Sequence, residues 1–221
     1  MKKLVIALAV IIVLSAVASA DVLLTANSLG AGKLGWLAAG QYNSNMGSNI
    51  TQMGGGLALG YGVMDKLDVY GNVGYATQAG LPPVLSSSSG LMFRLMGKYQ
   101  VLAEGKDMPV SVAGLAEYQT ATVSYNTVFA TSGQTVQGDI GIGAIVSKIM
   151  IPWVPYGALV YHSLTSNPGA VTGSDLEIAL GSQMLLSRSS AVLGEVSLNS
   201  NSSGGATFTN TQISLAYMAK I

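Results

Sequence analysis

His162 is the only histidine in the 221 residues and stands beside Ser163, upstream of Asp175. An imidazole near a hydroxyl and a carboxylate is the raw material of general-base chemistry, provided the groups lie within hydrogen-bond reach. On an extended strand Ser163 points to the opposite face from His162. Ser166 shares its face but lies roughly 13 Å away by strand rise, too far for a nucleophile–base contact. A single histidine excludes paired-histidine metal sites, and the absence of cysteine removes thiolate ligands, disulfides and cysteine nucleophiles. The Gly54–Gly56 and Gly141–Gly143 pairs would cradle phosphate only before a helix, and they lie inside alternating segments. The expectation is a rim or lumen histidine that bonds locally, with no catalytic residue, no metal and no cofactor.

The other ionisable residues are few: 10 basic and 10 acidic, so that 9% of the chain is charged while 49% is hydrophobic. An average soluble domain is about 25% charged, so this balance points to a membrane or envelope. A neutral total offers no electrostatic footprint for nucleic acid.

Residues 1–20 explain how such a chain leaves the cytoplasm. Lys2 and Lys3 precede an apolar run from Leu4 to Val17, and Ala18 and Ala20 form an A-x-A cleavage site. The expected organisation is therefore a cleaved signal peptide over 1–20 and a single domain over 21–221. Beyond residue 20 no apolar run reaches the roughly 20 residues of a spanning helix.

Period-2 alternation takes its place. In 90–101, Leu91, Phe93, Leu95, Tyr99 and Val101 share one face, and Arg94, Lys98 and Gln100 the other. In 135–148 the polar face is broken only by Ile145. The same reading gives strands near 31–42, 51–63, 67–77, 110–124, 154–165, 175–186, 191–199 and 208–221, ten in all. The links 43–50, 78–89, 125–134, 166–174 and 200–207 are longer than those between, 102–109 excepted, and none contains a charged residue or histidine. Charges gather instead in short turns, at Asp65, Lys66, Glu104, Lys106, Asp107 and Arg188. Alternating long and short links, an even strand count and apolar outer faces describe an all-β, up-and-down antiparallel transmembrane barrel. Tyr42, Tyr61, Tyr75, Tyr99, Tyr118, Trp153, Tyr161 and Tyr217 lie at or near strand ends, as interface aromatics would.

With apolar faces on lipid, the charges must turn inward, since Arg or Lys at the bilayer midplane costs about 2–4 kcal/mol. The expected lumen charge cluster comprises Asp68, Arg94, Lys98, Glu117, Asp139, Glu177 and Glu195. Arg94 and Lys98, flanked by strands bearing Asp68 and Glu117, suggest a salt-bridge cluster that plugs the barrel. The small-residue series Gly54, Gly56, Ala58, Gly60, Gly62 also faces inward and suggests close packing of opposing side chains.

Two families of barrel enzyme test His162 further. Omptin-type proteases carry a D-x-H pair and a second Asp pair at the rim; here position 160 is Val160, and no Asp occurs in a long link. Lipid A deacylases use H-x-S, whereas Leu164 stands two residues after His162.

The signal peptide, the ten segments and the alternating terminal strand resemble the small bacterial outer-membrane β-barrel superfamily, with opacity-protein and OmpA-type transmembrane domains as broad relatives. The resemblance implies residence in the outer membrane, lipid as the surrounding partner, and insertion by the barrel-assembly machinery. Relatives commonly close with an aromatic residue; here Leu215 and Tyr217 keep the pattern and the last residue is Ile221. The expected role is non-enzymatic, a narrow pore for small polar solutes or a structural membrane protein. A surface adhesin using the uncharged loops is the alternative. A lipid- or peptide-hydrolysing barrel is a third, and it would lose activity on His162→Ala.

Overall fold

The computed structural model describes residues 24–44, 51–79, 85–127, 132–167, 171–203 and 206–221. The signal-peptide reading of 1–20 lies outside them. Ten strands, β1 (Leu34–Ser44), β2 (Thr51–Met64), β3 (Leu67–Ala79), β4 (Leu85–Leu102), β5 (Ser111–Thr127), β6 (Ser132–Ser147), β7 (Trp153–Asn167), β8 (Val171–Leu185), β9 (Ser190–Ser203) and β10 (Ala206–Lys220), pair antiparallel in sequence order. β1 pairs with β10 and closes the barrel. Closure leaves no sheet edge, the condition for strands to cross a bilayer.

The alternation sorts the side chains as a lipid-exposed barrel requires. Leu59, Leu95, Ile140, Ile142, Leu180 and Leu215 are exposed on the outside, while Arg94, Lys98, Glu117 and Glu177 are buried on the inside. All eight aromatics expected at the interface face outward. On β7, Trp153 near the periplasmic end and Tyr161 stand eight residues apart. At about 3.3 Å per residue and a tilt near 40°, that spans about 20 Å, close to an outer-membrane apolar band.

The outer strand ends differ from the sequence expectation. Leu85–Ser89, Tyr125–Thr127, Ser132–Gln134, Val171–Ser174 and Ser200–Ser203 belong to strands, not to long links. These Ser-, Thr- and Gly-rich stretches have no hydrophobic alternation to reveal them, yet their backbones continue the ladder past the lipid. Tyr118 and Tyr161 consequently lie mid-strand, with polar strand above them.

The barrel begins three residues later than its sequence pattern suggested, at Leu34. Residues 24–33 instead fold into the periplasmic end of the lumen, where Thr25, Ala26 and Leu29 are buried. Ala26 and Leu24 pack on an inward apolar layer of Ala113, Leu115, Ile145, Tyr156 and Val160. Ile145, a flaw in the polar face of its strand, is therefore part of this core. Leu29 packs with Tyr70 and Met96, and only about 30 Å³ of space remains there, room for one or two waters.

Glycines make the room. Tyr70 lies opposite Gly60, and Tyr156 opposite Gly181. A methyl group on Gly181 would collide with the Tyr156 ring, and one on Gly62 with the carbonyl of Gly30. Gly30 and Gly32 take φ of 91° and 73° to turn the segment into β1, and Gly32 N donates to Gly62 O at 2.8 Å. Gly62→Ala is expected to cost about 1–3 kcal/mol, the usual range for overpacking. The corresponding result is faster tryptic cleavage at Lys33 of the folded protein; an unchanged rate would show that the segment is not seated there.

Candidate functional site in the lumen

The inward charges fall into three groups. The first lies at the end of the barrel that carries the short turns. Antiparallel register sets Asp68 of β3 directly opposite Lys98 of β4, and Lys98 Nζ lies 3.3 Å from Asp68 Oδ2. Asp68 also accepts from Ser28 Oγ at 2.9 Å, from Leu29 N at 3.1 Å and from Tyr70 Oη at 3.1 Å. Lys98 Nζ donates to the carbonyls of Thr25 at 3.0 Å and Asn27 at 2.7 Å. Ser111 Oγ donates to Asn27 Oδ1, and Ala26 N to Ser147 Oγ. One ion pair thus serves mainly as an anchor for the N-terminal segment. Beside it a cavity of about 210 Å³ is lined by Leu24, Asn27, Lys98, Val154, Gln183 and Lys220.

The second group lies deeper. Arg94 Nε donates to Glu117 Oε2 at 3.1 Å, and a terminal guanidinium nitrogen contacts the same oxygen. His162 Nδ1 is 3.1 Å from Asp139 Oδ2 and 3.5 Å from Glu117 Oε1, and Nε2 is 3.7 Å from Glu177 Oε2. Gly141 pairs with both Glu117 and His162. A methyl group there would stand 2.8 Å from Glu117 Cγ and 2.9 Å from His162 Nδ1, so its hydrogen is what lets the two side chains meet.

The third group is centred on Tyr156 Oη, which donates to Glu195 Oε2 at 2.9 Å. Within the group of inward charges expected from the sequence, Lys98 contacts Asp68 and Arg94 contacts Glu117. The spacing of Arg94 and Lys98 was legible, but the partner each meets depends on cross-strand register and on a segment outside the strands.

Asp175 of β8 also faces inward, opposite His162, and an apolar layer of Leu37, Ala39, Ala58, Leu193 and Ala216 lies beside neutral polar side chains. Gln41 and Asn43 of β1, Asn210, Gln212 and Ser214 of β10, and Ser197 and Asn199 of β9 are buried inward. Asn43 Oδ1, Asn199 Oδ1, Asn210 Oδ1 and Ser197 Oγ have no protein partner. Buried acceptors of this kind are satisfied by water or by a ligand.

His162 is thus a lumen residue facing three carboxylates, and its neighbour Ser163 is exposed on the opposite face. Among the described residues no three His, Asp or Glu side chains converge as metal ligands. The sequence contained no direct sign of the N-terminal plug. Its only traces were the inward glycines of β2 and the large apolar residues interrupting inward faces.

No protein-family model and no curated protein matches the chain. Among solved structures it is similar to the translocator domain of autotransporter NalP from Neisseria meningitidis, at 11% identity over 86% of this chain and 89% of that one, with a TM-score of 0.55. The Beta domain of the Bordetella autotransporter BrkA (10% identity, 86% and 99% covered, TM-score 0.49) and the outer membrane protease OmpT from Escherichia coli (12%, 85% and 94%, 0.44) are more distant in shape. The fold is that of an integral outer-membrane β-barrel.

Proposed function

We propose that the protein is a narrow, cation-preferring pore of the outer membrane whose periplasmic mouth is closed by its own N-terminal segment. The observation that carries this reading is the contrast between the two halves of the lumen. One half is wettable, with buried amide and hydroxyl oxygens that lack protein partners. The other holds Leu24–Gly32, anchored by side-chain hydrogen bonds to Asp68 and Lys98 and, at its end, by the backbone bond from Gly32 N to Gly62 O. Carboxylates outnumber cationic groups along the way, the arrangement that favours cations in a pore. A ten-stranded barrel lies near the closed end of the size range, so the expected conductance is small.

The test is planar-bilayer recording on refolded protein, with heat-modifiable gel mobility as the folding control. Brief, low-conductance openings and a cation-selective reversal potential in a KCl gradient are expected. Silence from verified barrels, both wild type and Lys98→Ala, would refute the pore and leave a structural barrel.

A further inference from the structure

We infer that the middle of the lumen binds an organic cation bearing ammonium groups, held by Glu177 and Asp139 together with the amide oxygen of Asn199. The inference deepens the pore reading, because the ligand reaches these groups through the wettable half of the lumen.

Charge is the first observation. Glu117, Asp139, Asp175, Glu177 and Glu195 all turn inward on β5, β6, β8 and β9. Arg94 and His162 are the only basic side chains on this level among the described residues. Even with a proton on His162, carboxylates remain in excess. Positive charge stabilises carboxylates away from bulk water, and the two basic side chains here are fewer than the five carboxyl groups.

The second observation is independent of charge. Asn199 is 4% exposed, its Oδ1 has no partner, and it lies directly opposite Glu177 in the β8–β9 register. Asn210, opposite Asn199 on β10, repeats the feature, and Asp139 Oδ1 also accepts no hydrogen bond. Acceptors beside excess negative charge call for a ligand that brings positive charge and N–H donors together. An ammonium group carries three such donors. A compact metal ion fits less well, because among the described residues no three His, Asp or Glu side chains are placed so that they could hold one together. Acceptors spread over neighbouring strands suit an extended molecule with several ammonium groups.

Spermidine is the probe. Full-length refolded protein in detergent micelles is titrated with spermidine, with CaCl2, and with KCl at matched ionic strength, and the unfolding midpoint is read from the folded gel band. Spermidine at about 100 times its Kd is expected to raise the midpoint by about 5–10 °C, saturably. Glu177→Gln should lose at least half of that shift, while Asn199→Asp, which adds an acceptor charge, should reach it at lower concentration. The absence of a saturable shift, an equal shift with CaCl2, or unaltered responses in both variants would overturn the inference. Because the readout is stability, a silent barrel that still binds spermidine would refute the pore alone.

Discussion

Lys98→Ala is expected to raise the open-state population about a hundredfold in bilayer recordings while leaving a folded barrel. Lys98 makes three contacts at the periplasmic end, with Asp68 Oδ2, the Thr25 carbonyl and the Asn27 carbonyl. Two of these hold the N-terminal segment directly. The third neutralises the carboxylate that receives Ser28 and Leu29. Removing one partner of a buried ion pair costs about 3–5 kcal/mol, because the other charge is left behind. Asp68 keeps donors from Ser28, Leu29 and Tyr70, so the low end, about 3 kcal/mol, applies. The strand ladder does not depend on Lys98, so the loss falls mainly on docking of the segment. At tenfold per 1.4 kcal/mol, that is about two decades in the gating equilibrium. Lys98→Met, which restores bulk without charge, should open the pore nearly as often. Unchanged conductance in both variants would mean that the segment is not the gate.

Arg94→Ala should instead damage the barrel itself. Arg94 and Glu117 are both buried, and Glu117 also lies 3.5 Å from His162. The expected loss is about 3–5 kcal/mol, which lowers the unfolding midpoint by roughly 10 °C for a chain of this size. The double variant Arg94→Met with Glu117→Met should recover most of it, since an apolar pair of similar volume carries no stranded charge. If Arg94→Ala melts with the wild type, the pair contributes nothing to stability, and the expectation of a charge plug drawn from the sequence falls with it.

The two variants separate two sets of inward contacts, and only one was readable in the chain. Arg94, Lys98, Glu117 and Glu177 were legible as inward residues because each alternates with residues such as Phe93, Leu95, Tyr118 and Ile178 that face lipid. What could not be read was which charge meets which. Glu117 meets Arg94 diagonally across β4 and β5, and meets His162 across the space left by Gly141. Shifting one strand by two residues would preserve every face and change every partner. The outer strand ends were missed for a related reason: Ser86–Ser89 and Ser200–Ser203 have little apolar pattern, and only the backbone ladder shows that they are strand.

The sequence by itself pointed to about ten strands, and it determined which faces meet lipid and that charge turns inward. Those properties follow from local alternation and from the cost of charge in hydrocarbon, and both act residue by residue. Only the tertiary structure decided that residues of the segment before β1 sit inside one end of the lumen. That depends on Leu24–Gly32, a stretch without strand periodicity, reaching Asp68, Lys98, Ser111 and Ser147, which come together only once the barrel has closed. Contacts set by closure leave no period along the chain.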